Sequence, residues 1–262
     1  MLVAATGLLP NVSNAHTSSV AFSRVRSAGV RMNVVTVNLN DPDIAITPAI
    51  ARRGIGSCES FRSMMRRLRP TAGINGTFFD TRTLVPTGDI VIDRQLLNQG
   101  YLGVAVTISA NNKVRFLPSR HPELYRWSDH DAVIVAGPTL VTEGKAVLAP
   151  RAEGFTSWVH FSPHVRAAVG LTSASKLLLV TTTRAVYLGR LARAMRALGC
   201  VEAAALDGGS SAGLYFKGKL LANPTRGMTN CLLVYDNPSE YAQRRDSFCP
   251  ANQYSQARPT GS

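Results

Sequence analysis

The chain has 262 residues, 45% of them hydrophobic and 17% charged, which is enough apolar side chain to bury a core and too little charge for a disordered or coiled-coil chain. No apolar run reaches the roughly 18 residues a membrane helix needs. Lys and Arg outnumber Asp and Glu by 29 to 16, a formal charge of +13, and 24 of the 29 are arginine, which points either to a phosphate-bearing partner or to a solvated basic surface.

Residues 1–18 read as a signal remnant or flexible segment, because apolar MLVAATGLLP runs into small residues around Ser13 and Ala15, although the basic start of a signal peptide is missing. Export is therefore expected over a cytoplasmic site. Residues 30–39 are β-branched and bounded by Gly29 and the turn Asn40–Asp43, so they predict a strand. In SCESFRSMMRRLRP, Phe61, Met64, Met65 and Leu68 fall at helical spacing, Ser57 or Ser60 can cap, and Pro70 stops the run. Its opposite face carries Arg62, Arg66, Arg67 and Arg69 and reads as solvated. Residues 102–109 and 113–117 flank Ala110–Asn112 as a hairpin; residues 132–136, 166–172 and 176–183 predict further strands. A second amphipathic helix carries Leu188, Leu191, Ala192, Met195 and Leu198 and ends at Gly199. Residues 203–206, 213–216 and 229–235 read as short strands, and the polar stretch 237–262 as a tail. Hairpins mixed with two helices predict an α+β, strand-rich antiparallel or mixed sheet core in a single domain over residues 19–236.

Cys58, Cys200, Cys231 and Cys249 are too far apart for a metal knuckle; two disulfides or buried free thiols both fit them. Gly209–Gly213 contains a formal GxSxG, but all five histidines precede Ser211, the reverse of the hydrolase order. His160 and His164 have the spacing of a zinc pair, yet Pro163 between them and the missing glutamate of HExxH make them loop or strand histidines. What remains is a set of glycine turns. Gly73–Asp80 offers Asn75, Gly76, Thr77 and Asp80; Gly137-Pro138-Thr139 ends a strand; Leu206–Ser211 sets Asp207 before Gly208, Gly209, Ser210 and Ser211, where free backbone N–H groups could nest an anion.

In this order the turns resemble the phosphodiester glycosidase family: an Asn-Gly-x-Phe-Phe turn at residues 75–79, a Gly-Pro-x-Leu-Val turn with a following Gly at 137–144, an Arg-x-Ala-Val-Gly strand at 166–170 and a Leu-Asp-Gly-Gly-x-Ser-Ser turn at 206–211. Between the last two lie a leucine-rich strand, Arg184 and a helix ending in Leu198-Gly199; Asn223–Arg226 precedes the final strand. The chain departs from the pattern at Thr77, where the family has glycine, at Thr182-Thr183-Arg184, where it has Asp-Gly-Arg, and in a last motif one residue shorter.

The resemblance implies a hydrolase that cleaves the glycosidic C–O bond of a sugar-1-phosphodiester such as an N-acetylglucosaminyl phosphodiester, on a small molecule or a cell-surface polymer. Such a reaction passes through an oxocarbenium-like state while charge grows on the departing phosphate, so it needs a carboxylate and a cation. Asp207 is the first candidate for the carboxylate, with Asp80 and Glu153 in reserve; Arg166 and Arg184 would clamp the phosphate bidentately. Asn75, Gly76, Thr77, Gly137, Thr139 and Gly208–Ser211 would line the substrate site. No cofactor is required, although Asp207 with backbone carbonyls could hold a hard cation such as Ca2+. The alternatives are a non-catalytic polyanion-binding module, against which the 7% aromatic content speaks, and a metal-dependent phosphodiesterase cutting P–O, for which the ligand cluster is missing; specific nucleic-acid binding is not expected.

Overall fold

The valine-rich strand Val30–Asn38 shows how the layers arise. Val35 and Val37 point into one core, whereas Val30, Met32 and Val34 point into another, because successive strand side chains face opposite ways. Its neighbours Lys176–Thr182 and Ala167–Thr172 repeat the alternation, with Leu177, Leu179 and Val169 on one side and Leu178, Val180 and Ala168 on the other. The computed structural model describes residues 18–118 and 127–250. The apolar N-terminal segment, His16, His121 and the last twelve residues of the sequence lie outside these.

These strands belong to a seven-stranded sheet in the order Val20–Ser27, Val30–Asn38, Lys176–Thr182, Ala167–Thr172, Cys200–Leu206, Thr139–Thr142 and Lys145–Ala146. A five-stranded sheet runs Lys219–Ala222, Leu214–Phe216, Ala72–Asn75, Asn230–Tyr235 and Ala45–Ile50; another runs Gln95–Asn98, Ile90–Ile92, Ala132–Ala136, Val104–Ser109 and Lys113–Pro118. The pairings in all three sheets are antiparallel. The fold is thus a single strand-rich α+β domain. The main core lies between the seven-stranded sheet and the two smaller ones, with Val35, Ile74, Val106 and Leu232 among its members.

Helix α1 (Phe61–Leu68) forms as its spacing demands: Phe61, Met64, Met65 and Leu68 are buried, the Ser60 side chain accepts the Ser63 N–H, and Arg69 closes the helix in the left-handed region. Ser60 rather than Ser57 is the cap. Helix α2 (Leu188–Ala197) lays Leu188, Leu191, Ala192 and Met195 over the outer face of the seven-stranded sheet. The polar stretch after residue 236 is not a plain tail, since Asn237 caps a short helix α3 (Pro238–Arg244) and Phe248 and Cys249 pack fully buried beside α1. Eight strands escape the sequence pattern, Val20–Ser27 and Ala45–Ile50 being the longest of them. Val20–Ser27 turns arginines outward from an edge, and Ala45–Ile50 contains Pro48, which an edge strand tolerates because its outer side donates to no neighbour. All four cysteines are free thiols, with Cys58 exposed and the other three buried.

Candidate active site

Three strand ends converge on one cleft. Leu206 ends its strand at Asp207, Asn75 ends its strand beside it, and Arg166 immediately precedes the strand Ala167–Thr172. Asn75 is the post that fixes them: its Nδ2 donates to the Asp207 carbonyl at 2.7 Å and its Oδ1 accepts the Gly213 N–H at 3.0 Å, while the Asp207 N–H donates to the Gly76 carbonyl at 3.2 Å. Gly76 has no room for a side chain, because a Cβ there would stand 1.8 Å from Asn230 Oδ1, which already accepts the Thr77 N–H. The cleft holds about 450 Å³ and presents Phe78, Phe79, His164, Arg166, Asp207 and Arg226, with Thr81, Ser157, Val159, His160 and Gly208–Ser210 completing its walls.

Asp207 is the only carboxylate among these lining residues. Burial lifts its pKa to about 6, against the opposing pull of the Ser211 hydroxyl, the Arg226 guanidinium and the Gly208 N–H, which donates to Oδ1 at 2.9 Å. Ser211 is completely buried and its hydroxyl makes no well-formed hydrogen bond, so it serves the carboxylate's surroundings rather than acting as an exposed nucleophile.

Arg166 is 5% exposed and makes no ion pair among the described residues. Its Nε donates to the Val186 carbonyl at 3.2 Å and its Nη2 to the carbonyls of Val159, at 2.9 Å, and Ser162, which leaves Nη1 without a hydrogen-bond partner among the described residues. Burial lowers its pKa to about 10, so the guanidinium stays charged at neutral pH. Arg226, half-buried, lies 4.6 Å above the Phe79 ring, also without an ion pair. Two guanidiniums, neither in an ion pair among the described residues, therefore share the cleft with one carboxylate whose charge Arg226 favours, and the buried charge of Arg166 favours an anionic ligand.

The histidines divide by environment. His160 sits edge-on to Phe78 and Phe155, and burial, then Arg166 and His164, push its pKa to about 4, so it is neutral in ordinary conditions. His164 has its pKa lowered by burial and Arg166. The Ser162 hydroxyl spends its proton on the Trp158 carbonyl, so His164 Nε2, 3.0 Å away, is the donor of that pair and neutral His164 turns Nδ1 toward Gly209 as an acceptor.

Several residues expected in the substrate site stand elsewhere. Asp80 is exposed and closes its own turn by accepting the Arg82 and Thr83 N–H groups, which also lowers its pKa. Glu153 holds the Thr139 N–H and hydroxyl, and neither residue lines the cleft. Gly137 packs against Phe155, and Asn75, Gly76 and Thr77 are buried structural members. The anticipated backbone nest does not form, since Gly208 N–H is taken by Asp207 and Gly209 N–H by the Val165 carbonyl at 2.7 Å. Arg184 lines a different hollow. Arg226 and His164, not singled out in the sequence as binding groups, line the cleft instead; the Pro224-Thr225-Arg226 run was the available signal for the first. Among the described residues no cluster of three or more His, Cys, Asp or Glu could hold a metal ion.

A family model described as phosphodiester glycosidase matches residues 69–235. No curated protein sequence matches the chain. A hypothetical protein from Synechocystis superposes with a TM-score of 0.68 at 18% identity, over 82% of this chain and 61% of its own. The zebrafish N-acetylglucosamine-1-phosphodiester α-N-acetylglucosaminidase catalytic domain, auto-inhibited by its pro-peptide, superposes with a TM-score of 0.67 at 19% identity over 85% of each chain. A Burkholderia pseudomallei protein with the provisional name of an exported protein gives 0.57 at 16% identity, over 79% of this chain and 74% of its own. These likenesses are of fold. In none of the three does the identity reach one residue in five.

Proposed function

Because the chain belongs to the phosphodiester glycosidase family, we propose that it hydrolyses the glycosidic C–O bond of a sugar-1-phosphodiester, releasing free sugar and a phosphomonoester. The observation that carries this reading is one half-buried carboxylate, Asp207, sharing a cleft of about 450 Å³ with two guanidiniums that make no ion pair among the described residues. Phe78 and Phe79 give the sugar an apolar wall. Arg166, through Nη1, and Arg226 receive the phosphate and stabilise the charge that accumulates on it as the C–O bond breaks. Asp207, ionised, meets the anomeric carbon either directly or through a water that it deprotonates. His164 Nδ1, beside Gly209, accepts a hydroxyl hydrogen bond when neutral.

Ordinary glycosidases need a second carboxyl group to protonate a poor leaving group. A phosphate monoester leaves readily without a strong acid, which suits a cleft with a single carboxylate among its lining residues. The site's cationic neighbours also oppose a bound divalent cation at Asp207, so turnover should persist in EDTA. Action outside the cytoplasm is part of the same proposal, supported by the apolar N-terminal sequence and by the exported name borne by the Burkholderia neighbour.

The assay starts with an N-acetylglucosaminyl 1-phosphodiester and a panel of other sugar-1-phosphodiesters. Free reducing sugar and phosphomonoester in equal amounts are expected from at least one of them, with EDTA present. Release of sugar phosphate instead, or no turnover across the panel, would contradict the reading.

A further inference from the structure

Val186 ties the cleft to a second hollow. Its carbonyl accepts Arg166 Nε and its backbone pairs with His164, two residues that line the cleft already described, and Val186 itself lines a second hollow of about 250 Å³. Arg26, Arg31, Arg184 and Arg190 converge there around Gly29, and no acidic side chain lines it. None of the four makes an ion pair among the described residues.

The arrangement is electrostatically unfavourable. Arg26 and Arg31 stand directly opposite each other in the antiparallel pair of Val20–Ser27 with Val30–Asn38, where like charges destabilise. The turn joining those strands passes through Gly29 in the left-handed region, and Arg190 Nη2 lies 3.7 Å from the place its Cβ would take. Helix α2 begins beside them at Leu188 with no acidic residue in its first turn and no side-chain cap, so its positive end adds to the same field. On α1, by contrast, Arg67 is held by Glu59 at 2.6 Å, and Arg62, Arg66 and Arg69 are exposed. Here four exposed arginines from two strands, a loop and a helix are gathered around one hollow against their mutual repulsion, which an anion would relieve.

We propose that this hollow binds a second phosphate group of the substrate, one repeat away from the phosphodiester being cut, so that the preferred substrate is a chain of sugar phosphates. The substrate half of this proposal rests on the glycosidase reading; the anion site rests on the arginines alone. Tyr187, 53% exposed, follows Val186 in the chain and offers an aromatic surface to a sugar between the two phosphates.

The test compares wild type with R26A/R190A and with R62A/R66A, which removes the same charge from the exposed face of α1. Titration with inorganic pyrophosphate at low ionic strength should show two sites in wild type and in R62A/R66A and one in R26A/R190A. Equal stoichiometry in all three would overturn the anion site. In the second arm, kcat/KM is measured for a sugar-1-phosphodiester with and without a further phosphate one repeat away. Wild type should prefer the longer compound, and R26A/R190A should lose at least tenfold of that preference; an unchanged preference would overturn the proposal. Hydrolysis of neither compound would overturn the glycosidase reading and the substrate half together, while the pyrophosphate titration still judges the site. Tighter binding of a single-stranded DNA oligonucleotide than of the longer compound, abolished in R26A/R190A, would assign the hollow to nucleic acid instead.

Discussion

Asp207→Asn should lower kcat on an accepted sugar-1-phosphodiester by roughly 10²–10⁴-fold, the range general acid–base groups contribute, while the protein still folds. The amide keeps the shape of the carboxylate and an oxygen that can accept the Gly208 N–H, and the Asn75 hydrogen bond goes to the Asp207 backbone carbonyl, which the substitution leaves in place. The pH dependence adds a second readout. Burial raises the Asp207 pKa from 3.8 to about 6, so the folded protein holds this proton more tightly than the unfolded chain does. The stability this provides is complete below pH 3.8 and is lost as pH rises through about 6. Asn has no such loss, so the melting temperature of the variant relative to wild type should climb between pH 4 and pH 7. Because the reaction needs the ionised form, wild-type kcat/KM should also fall on the acid side with a midpoint near pH 6. Full activity in the variant, or a difference in melting temperature that does not change with pH, would remove Asp207 from its assigned role.

Arg166→Lys should cost both stability and turnover, and this pairing separates it from Arg226. The Arg166 fork satisfies the carbonyls of Val159, Ser162 and Val186 from two nitrogens, and a lysine ammonium cannot reach all three in that geometry. Leaving these part-buried acceptors unpaired costs at most about 1–3 kcal/mol each, the figure for buried groups, and the segments that they anchor carry His160, His164 and the wall of the cleft. A fall in melting temperature of several degrees and a loss of kcat are expected together. Arg226→Lys, by contrast, breaks a contact with the face of Phe79 and no hydrogen bond of the chain, so kcat/KM should fall with little change in melting temperature. If Arg166→Lys matches wild type by calorimetry, the three carbonyls do not depend on the guanidinium.

The parts of this fold that were legible in the sequence are those in which one periodicity suffices. Phe61, Met64, Met65 and Leu68 repeat at helical spacing between Ser60 and Pro70, and Val30–Asn38 is β-branched because it is buried on both faces. Ala45–Ile50 was hidden by Pro48, whose presence is compatible with a strand only at a sheet edge, a property of the assembled sheet. The helix after Asn237 was announced by an Asn-Pro pair at its start, but its apolar contribution comes afterwards, from Phe248 and Cys249.

The site followed the same logic. Asp207 could be singled out because a strand, an acid and two glycines are contiguous. Arg166 could be singled out too, but not its three carbonyl partners, which are backbone groups without a sequence signature. Asn75, expected at the substrate, is a buried post because Asp207 and Gly213 offer it a carbonyl and an N–H across two sheets. Arg226 and His164 meet Asp207 only once the strands have paired, so the Asn223–Arg226 run and the His160/His164 spacing mark them in the sequence without showing that they share its cleft.

The most direct measurement is the position of the solvent oxygen after hydrolysis in ¹⁸O-water. Attack at the anomeric carbon places that oxygen on the sugar, whereas attack at phosphorus places it on the phosphate. With Asp207 as the only carboxylate lining the cleft and Arg166 and Arg226 free to hold the departing phosphate, the account predicts label at C1 of the released sugar and an unlabelled phosphomonoester. Reaction times must be short enough that exchange at the free sugar is negligible. Label in the phosphomonoester would contradict the assignment of this cleft to glycosidic bond cleavage.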